Sequence, residues 1–227
     1  MESPSVCEPE TEDGRDAEGP AGAARSQPDL KSQRALLQRL RRALRTLDRE
    51  RSEAPSLCSE LLGLPRDEQG ERIERDARFH TWGVCELLLG LSVESEDAEE
   101  AVHLAGLTLL GAARLDTVRH VASVIADLQA RAWAALGECR RAQGRQSEAE
   151  DALRAAASFL AHGTGDLLVE AHLLEFEARV RRDQQRLGEA SALLKLAAAR
   201  YREAGDGVLC DRALALRNEI LQLIRPF

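Results

Sequence analysis

The sequence predicts an all-α protein built from successive helix hairpins, and three observations carry that reading. Alanine and leucine each occur 36 times in 227 residues, whereas valine and isoleucine together number 14. Ala and Leu lose little side-chain freedom in a helix, while β-branched residues favour a pleated surface. Aromatic residues make up only 3% of the chain, so the layers between elements are thin, as when helices pack closely. Apolar residues also recur at spacings of three and four, with legible helix stops between the runs.

Residues 1–28 stand apart from the rest. They hold Pro4, Pro9, Pro20 and Pro28, and residues 1–30 carry eight acids against two arginines, a net −6. Such a segment buries too little apolar surface to offset its conformational entropy and reads as a disordered acidic tail. Residues 29–78 form a second stretch that packs on the repeats. Asp29 is placed to cap a helix running through residue 52, in which Leu37, Leu40, Leu44 and Leu47 make one apolar stripe. Residues 31–51 hold eight bases against Asp48 and Glu50, a net +6. The expected role of this charge is a solvated face on a helix docked by its leucines. A patch for an acidic partner or nucleic acid is the alternative. Residues 56–78 read as short helices broken at Gly63-Leu64-Pro65.

From residue 79 to 227 helix follows helix, near 79–92, 96–114, 117–143, 148–161, 167–184, 188–204 and 208–224. Ser95, Asp116 and Asp166 are the expected N-caps, and Ser147 with Glu150 forms an S-x-x-E capping box. Gly144 sits where a helix end needs a left-handed residue, and 162–166 is a loop. The last helix places Leu209, Ala213, Leu216, Ile220 and Leu223 on one face and is expected to cap the stack.

An internal repeat links these helices. Trp133, Leu136 and Gly137 are followed by Ala149, Leu153 and Ala156. Trp82 precedes Ala98, and Leu174 precedes Ala190, by the same sixteen residues that separate Trp133 from Ala149. Small residues at Gly137 and Ala149 let two backbones approach, and Trp133 and Leu153 fill the space around the crossing. The pattern resembles the tetratricopeptide repeat, and the protein is similar to degenerate bacterial members of that superfamily. Its repeats are spaced by 51 and 41 residues, longer than the family's own period. The resemblance implies a right-handed α-solenoid of stacked antiparallel helix hairpins, whose concave face is lined by the first helix of each pair.

By the same resemblance, peptide-contacting positions fall at His80, Gly83, Leu87 and Gly90 in the first pair. The corresponding positions are Arg131, Ala134, Glu138 and Arg141 in the second, and His172, Glu175, Arg179 and Arg182 in the third. The expected partner-binding residues are Arg131, Glu138, Arg141, His172, Glu175, Arg179 and Arg182. Arginine grips carboxylates as a two-pronged fork, so an acidic peptide or the free C-terminus of a polypeptide is the expected ligand. The competing expectation is that Glu138, Glu175 and nearby acids neutralise these arginines in a surface ion-pair network.

Several classes are set aside. A net charge of −8 and a pI near 5.3 do not describe a simple polyanion binder. The five cysteines, Cys7, Cys58, Cys85, Cys139 and Cys210, include no CxxC and suit buried thiols in a reducing compartment. No secretory signal or membrane span is recognised, and a cytoplasmic location is expected. Gly163-Thr164-Gly165 lacks the lysine of a phosphate loop. His80, His103, His120, His162 and His172 do not pair with cysteines at metal-ligand spacing, so neither metal nor cofactor is expected. No nucleophile or acid–base constellation is evident. The expected function is therefore a protein–protein interaction or regulatory adaptor rather than an enzyme. The alternative is a sensor module whose basic helix touches nucleic acid or an acidic partner.

Overall fold

The computed structural model describes residues 30–224, with side chains from residue 33 onward apart from Leu36. The protein divides into two units, Met1–Arg39 and Leu40–Phe227. The acidic segment 1–28, the expected cap at Asp29 and Cys7 lie outside the described residues. The described residues are all-helical, with no strand among them. In order they form α1 (Leu30–Leu62), α2 (Arg66–Arg75), a 3₁₀ turn (Ala77–Phe79), α3 (Trp82–Glu94), α4 (Ala98–Ala112) and α5 (Ala122–Ala142). There follow α6 (Gln146–Leu160), α7 (Leu167–Asp183), α8 (Leu187–Glu203) and α9 (Gly207–Ile224). From α3 on, each helix packs on the next, and α5 also touches α3 and α7. Among the described residues no helix is long and apolar enough to cross a membrane.

Helix α1 continues ten residues beyond the expected end at 52, through Pro55 to Leu62. Proline removes a hydrogen bond and disfavours a helix interior. Here burial outweighs that cost, because Ala54, Cys58 and Leu61 all face the core formed with Ile73, Phe79, Val84, Leu88, Leu104 and Leu107. The helix stops at Gly63 to Pro65, as expected. Within the second unit the leucine stripe is docked at its inner end: Leu47 packs on the Trp82 cluster, whereas Leu40 and Leu44 are exposed.

Four expected caps fare differently. Asp166 caps α7 by accepting from Leu168 N at 2.8 Å. Ser95 ends α3 instead of starting α4; the cap of α4 is Asp97, which accepts from Glu99 N and Glu100 N. Asp116 does accept from Val118 N at 2.8 Å, but it closes a turn, and α5 begins later, at Ala122. Ser147 makes no capping box, because α6 already begins at Gln146 and no side chain caps it. Glu150, its expected partner, instead accepts from Gln184 Nε2.

The 41-residue spacing proves to be structural. Gly144 ends α5 with φ +75°, and Gln185, 41 residues on, ends α7 with φ 61°. At each end the backbone closes alike: Arg145 N donates to Arg140 O, and Arg186 N to Arg181 O, both at 2.9 Å. The side chains repeat too. Arg140 bonds Gln143 and reaches Glu148, while Arg181 bonds Gln184 and reaches Glu189. The small residue expected at the second crossing is needed there. A Cβ on Gly137 would lie 2.9 Å from Ala152 Cβ on α6 and 2.5 Å from Phe176 Cζ on α7.

Helix α9 packs on α8 through Cys210, Ala213 and Ile220, with Leu209 and Leu216 half-buried and Leu223 exposed. The face expected from spacing is thus right for four of its five members, and Leu223, one residue before the end of α9, is exposed.

The loop at 162–166 is held by a buried carboxylate in α5. Asp127 accepts from Thr164 Oγ1 at 2.6 Å and from Thr164 N at 3.1 Å, and it fills the space beside Gly163. Asp127→Ala removes both bonds, and because Thr164 is exposed its donors turn to water. The cost is then the net worth of the bonds, about 0.5–1.5 kcal/mol each. The variant is therefore expected to melt earlier and to be cut by protease at 162–166. A loop that stays as protected as in the wild type refutes this clasp.

Candidate functional site

The face expected to bind a partner is built by α5 and α7. On α5, Arg131, Glu138 and Arg141 are separated by seven and three residues, which keeps them on one side of a helix. On α7, His172, Glu175, Arg179 and Arg182 follow the same rule. Arg131 and His172 are 41 residues apart, as are Glu138 and Arg179, and Arg141 and Arg182. The repeat therefore sets equivalent positions of neighbouring hairpins side by side.

The structure brings most of these residues into one linked series of ion pairs. Arg141 grips Glu138 with two nitrogens, at 2.9 and 3.1 Å, and donates a third bond to Asp183 at 2.6 Å. Arg179 bridges the two helices: it donates to Glu138 Oε1 at 3.2 Å and also to Glu175 Oε1. Glu175 is buried at 1% exposure and accepts from Tyr201 Oη and Arg212 Nη2, both at 2.8 Å. Arg182 lies 3.4 Å from Asp183. His172 bonds back to Leu168 O and stands edge-on to Tyr201, 5.5 Å between ring centres.

The electrostatics follow from this arrangement. Burial pushes the Glu175 carboxyl up, but the charge of Arg179 and the bonds from Arg212 and Tyr201 outweigh it and hold the group below its usual range. Burial likewise opposes Asp183, whose carboxyl is nonetheless kept low by Arg141. Desolvation of the His172 ring lowers its pKa, and the charges of Arg212 and Arg131 add to that effect. Burial and the Glu175 carboxylate drive the Tyr201 hydroxyl well above its ordinary value.

Arg131 differs from the others. It is exposed, and no ion pair to it occurs among the described residues. Its charge is felt on both sides, by Glu86 of α3 and by His172 of α7. Arg141, Arg179, Arg182 and Arg212 make four arginines ion-paired with three carboxylates, Glu138, Glu175 and Asp183, and Arg131 stands outside these pairs.

The first hairpin does not extend this face. At the equivalent positions α1 lies on α3. Gly83 is pressed under the backbone of Glu50 and Arg51, and Arg51 closes on Glu86 at 2.6 and 2.9 Å. His80 turns inward to bond Ile73 O at 2.6 Å. Leu87 and Gly90 line a cleft of about 260 Å³ whose other wall is Arg51, Ala54 and Pro55 of α1. Unlike the exposed Arg51–Glu86 pair, Glu50 and His120 are buried. Glu50 Oε2 accepts from Trp82 N at 2.8 Å, and its Oε1 lies 3.3 Å from His120 Nε2.

Three participants are not legible in the sequence. Tyr201 comes from α8, the second helix of its pair, at a position to which the repeat gives no role. Arg212 falls on the side of α9 that spacing assigns to solvent. Asp183 sits at the last position of α7. None stands in a local motif with the residue it touches, so no sequence signal identifies them.

The thiols of Cys58 and Cys85 are buried, and burial pushes them up to about 11 and about 12. They behave as packing groups. Among the described residues no three of His, Cys, Asp and Glu gather as a metal site requires. No protein-family model matches this sequence, and no curated protein or solved structure matches it.

Proposed function

We propose that this protein is a non-catalytic interaction module of the tetratricopeptide type, a right-handed stack of helix hairpins that binds an acidic peptide or protein segment on the α5–α7 face. The 41-residue equivalence of α5–α6 with α7–α8 supports the repeat reading. The observation that carries the binding reading is Arg131, an exposed guanidinium with no ion pair among the described residues, near arginines already fixed in place by Glu138, Glu175 and Asp183. Such fixed arginines lose little freedom when a further carboxylate arrives. The internal acids hold the row rigid, while the excess of arginine leaves the face with a net attraction for anions.

Reversing Arg141 or Arg179 would break the inner network and confuse binding with folding. The informative variant is Arg131→Glu with Arg182→Glu. The measurement is fluorescence anisotropy of a labelled glutamate-rich peptide against the full-length protein. A charge-assisted hydrogen bond contributes about 1.5–3 kcal/mol, so the double variant is expected to weaken binding about tenfold or more. Binding that raised salt does not weaken, or that the variant leaves intact, removes this reading.

A further inference from the structure

Where α1 enters the second unit, it carries an apolar stripe, Leu40 and Leu44, that stands exposed among the described residues. From Leu47 inward one face of α1 is the packing face. Leu47 lies on the Trp82 cluster, Glu50 receives the Trp82 N–H, and Ala54, Cys58 and Leu61 are buried. These positions advance by three or four residues, as one side of a helix must. Outward from Leu47 by the same steps come Leu44 and Leu40, on the same side, yet 58% and 51% exposed. A single exposed leucine needs no explanation. Two in register with a buried interface extend that interface past the last residue it covers.

The flanks identify what fits there. Arg41 and Arg45 border the stripe and Arg42 stands behind it; all three are exposed, and none makes an ion pair among the described residues. Between Leu40 and Arg49 the sequence supplies one acid, Asp48. A second copy of this protein would bring a matching set of arginines against these, and like charges across a helix pair are unfavourable. A helix with an apolar face and acidic borders meets both features at once, placing its own leucines against Leu40 and Leu44 and its carboxylates against Arg41 and Arg45.

We propose that this exposed stripe of α1 is a docking ridge for an acidic amphipathic helix of another protein, separate from the α5–α7 face. The probe is a labelled synthetic helix about three heptads long, built of leucine and glutamate, titrated against the full-length protein. Saturable binding is expected, weakened about tenfold or more by Leu40→Ser with Leu44→Ser, and similarly by Arg41→Glu with Arg45→Glu. All four positions are solvent-exposed, so the variants should keep the wild-type melting temperature and circular dichroism. Leu40→Ser with Leu44→Ser should leave the binding of a leucine-free glutamate peptide to the α5–α7 face unchanged, and a lysine version of the probe should not bind.

Four results would each overturn the assignment: no binding of the glutamate helix, binding indifferent to Leu40 and Leu44, equal binding of the lysine helix, or a wild-type dimer that Leu40→Ser with Leu44→Ser returns to monomer. The last would place a second copy on the stripe. Salt-sensitive binding of a DNA duplex, lost with the arginines but not with the leucines, and not displaced by the probe, would assign the ridge to nucleic acid instead.

Discussion

Gly83→Ala is expected to destabilise the protein strongly, while Gly90→Ala, two turns further along the same helix, is expected to stabilise it. A Cβ at Gly83 would lie 2.3 Å from the carbonyl oxygen of Glu50, 2.5 Å from its carbon and 2.8 Å from Arg51 N. These are backbone atoms of α1, so no rotamer change relieves the clash. The helix itself must move. Moving it disturbs the Glu50 bond to Trp82 N, the Arg51–Glu86 pair and the burial of Ala54, Cys58 and Leu61. Overpacking costs about 1–3 kcal/mol and more where backbone must shift, against roughly 1 kcal/mol gained from the better helix propensity of alanine. The clash therefore decides the sign at 83. At Gly90 nothing lies within 4 Å of the added Cβ, leaving only the propensity gain of about 0.5–1 kcal/mol. Denaturant midpoints of the two variants measure this directly. A Gly83→Ala protein as stable as the wild type would mean that α1 does not lie on α3 at this distance.

That contact also marks where the sequence stopped being legible. The identity and order of the helices could be read because Ala and Leu recur with helical spacing and because local signals close the runs. Gly144, Asp166 and the break at Gly63–Pro65 act over four or five residues, within reach of a local argument. Pro55 lies beyond such an argument. Its unfavourable propensity is outweighed by Ala54, Cys58 and Leu61 meeting side chains up to about fifty residues away. Ser95 and Ser147 show the same limit at smaller scale, since an adjacent Asp97 or an earlier helix start displaces a plausible cap. In the candidate site, the residues on α5 and α7 followed from the repeat, because a helix face is periodic. Their partners did not. Tyr201 and Arg212 reach Glu175 from α8 and α9, and only the packing of three helices brings them together. The covering of Gly83 by α1 likewise depends on where a preceding helix docks, which spacing within α3 cannot reveal.

Glu175→Gln is expected to carry the second large effect, with a pH dependence that a merely steric role would not produce. The carboxylate is almost wholly buried and holds Arg179, Arg212 and the Tyr201 hydroxyl. Glutamine keeps the shape but removes the charge, and its amide group points donors at donors. Removing one partner of a buried ion pair costs about 3–5 kcal/mol. Arg212 is 49% exposed and recovers hydration, so the lower part of that range, about 3 kcal/mol, is expected. The folded-state pKa of Glu175 lies below the ordinary 4.5, so its contribution is fully present above that value and is lost as pH falls through the folded-state value. The stability gap between wild type and Glu175→Gln should therefore be widest near neutral pH and narrow progressively once the pH drops below about 4.5. Glu86, also held low by its arginine but outside this network, destabilises both proteins on acidification and cancels from the difference. Urea denaturation across that range isolates the Glu175 contribution. A gap that stays constant from neutral to acid would show that size and hydrogen bonding, and not charge, fix this residue between α7, α8 and α9. The arginine row on the α5–α7 face would then owe its rigidity to Glu138 and Asp183 alone.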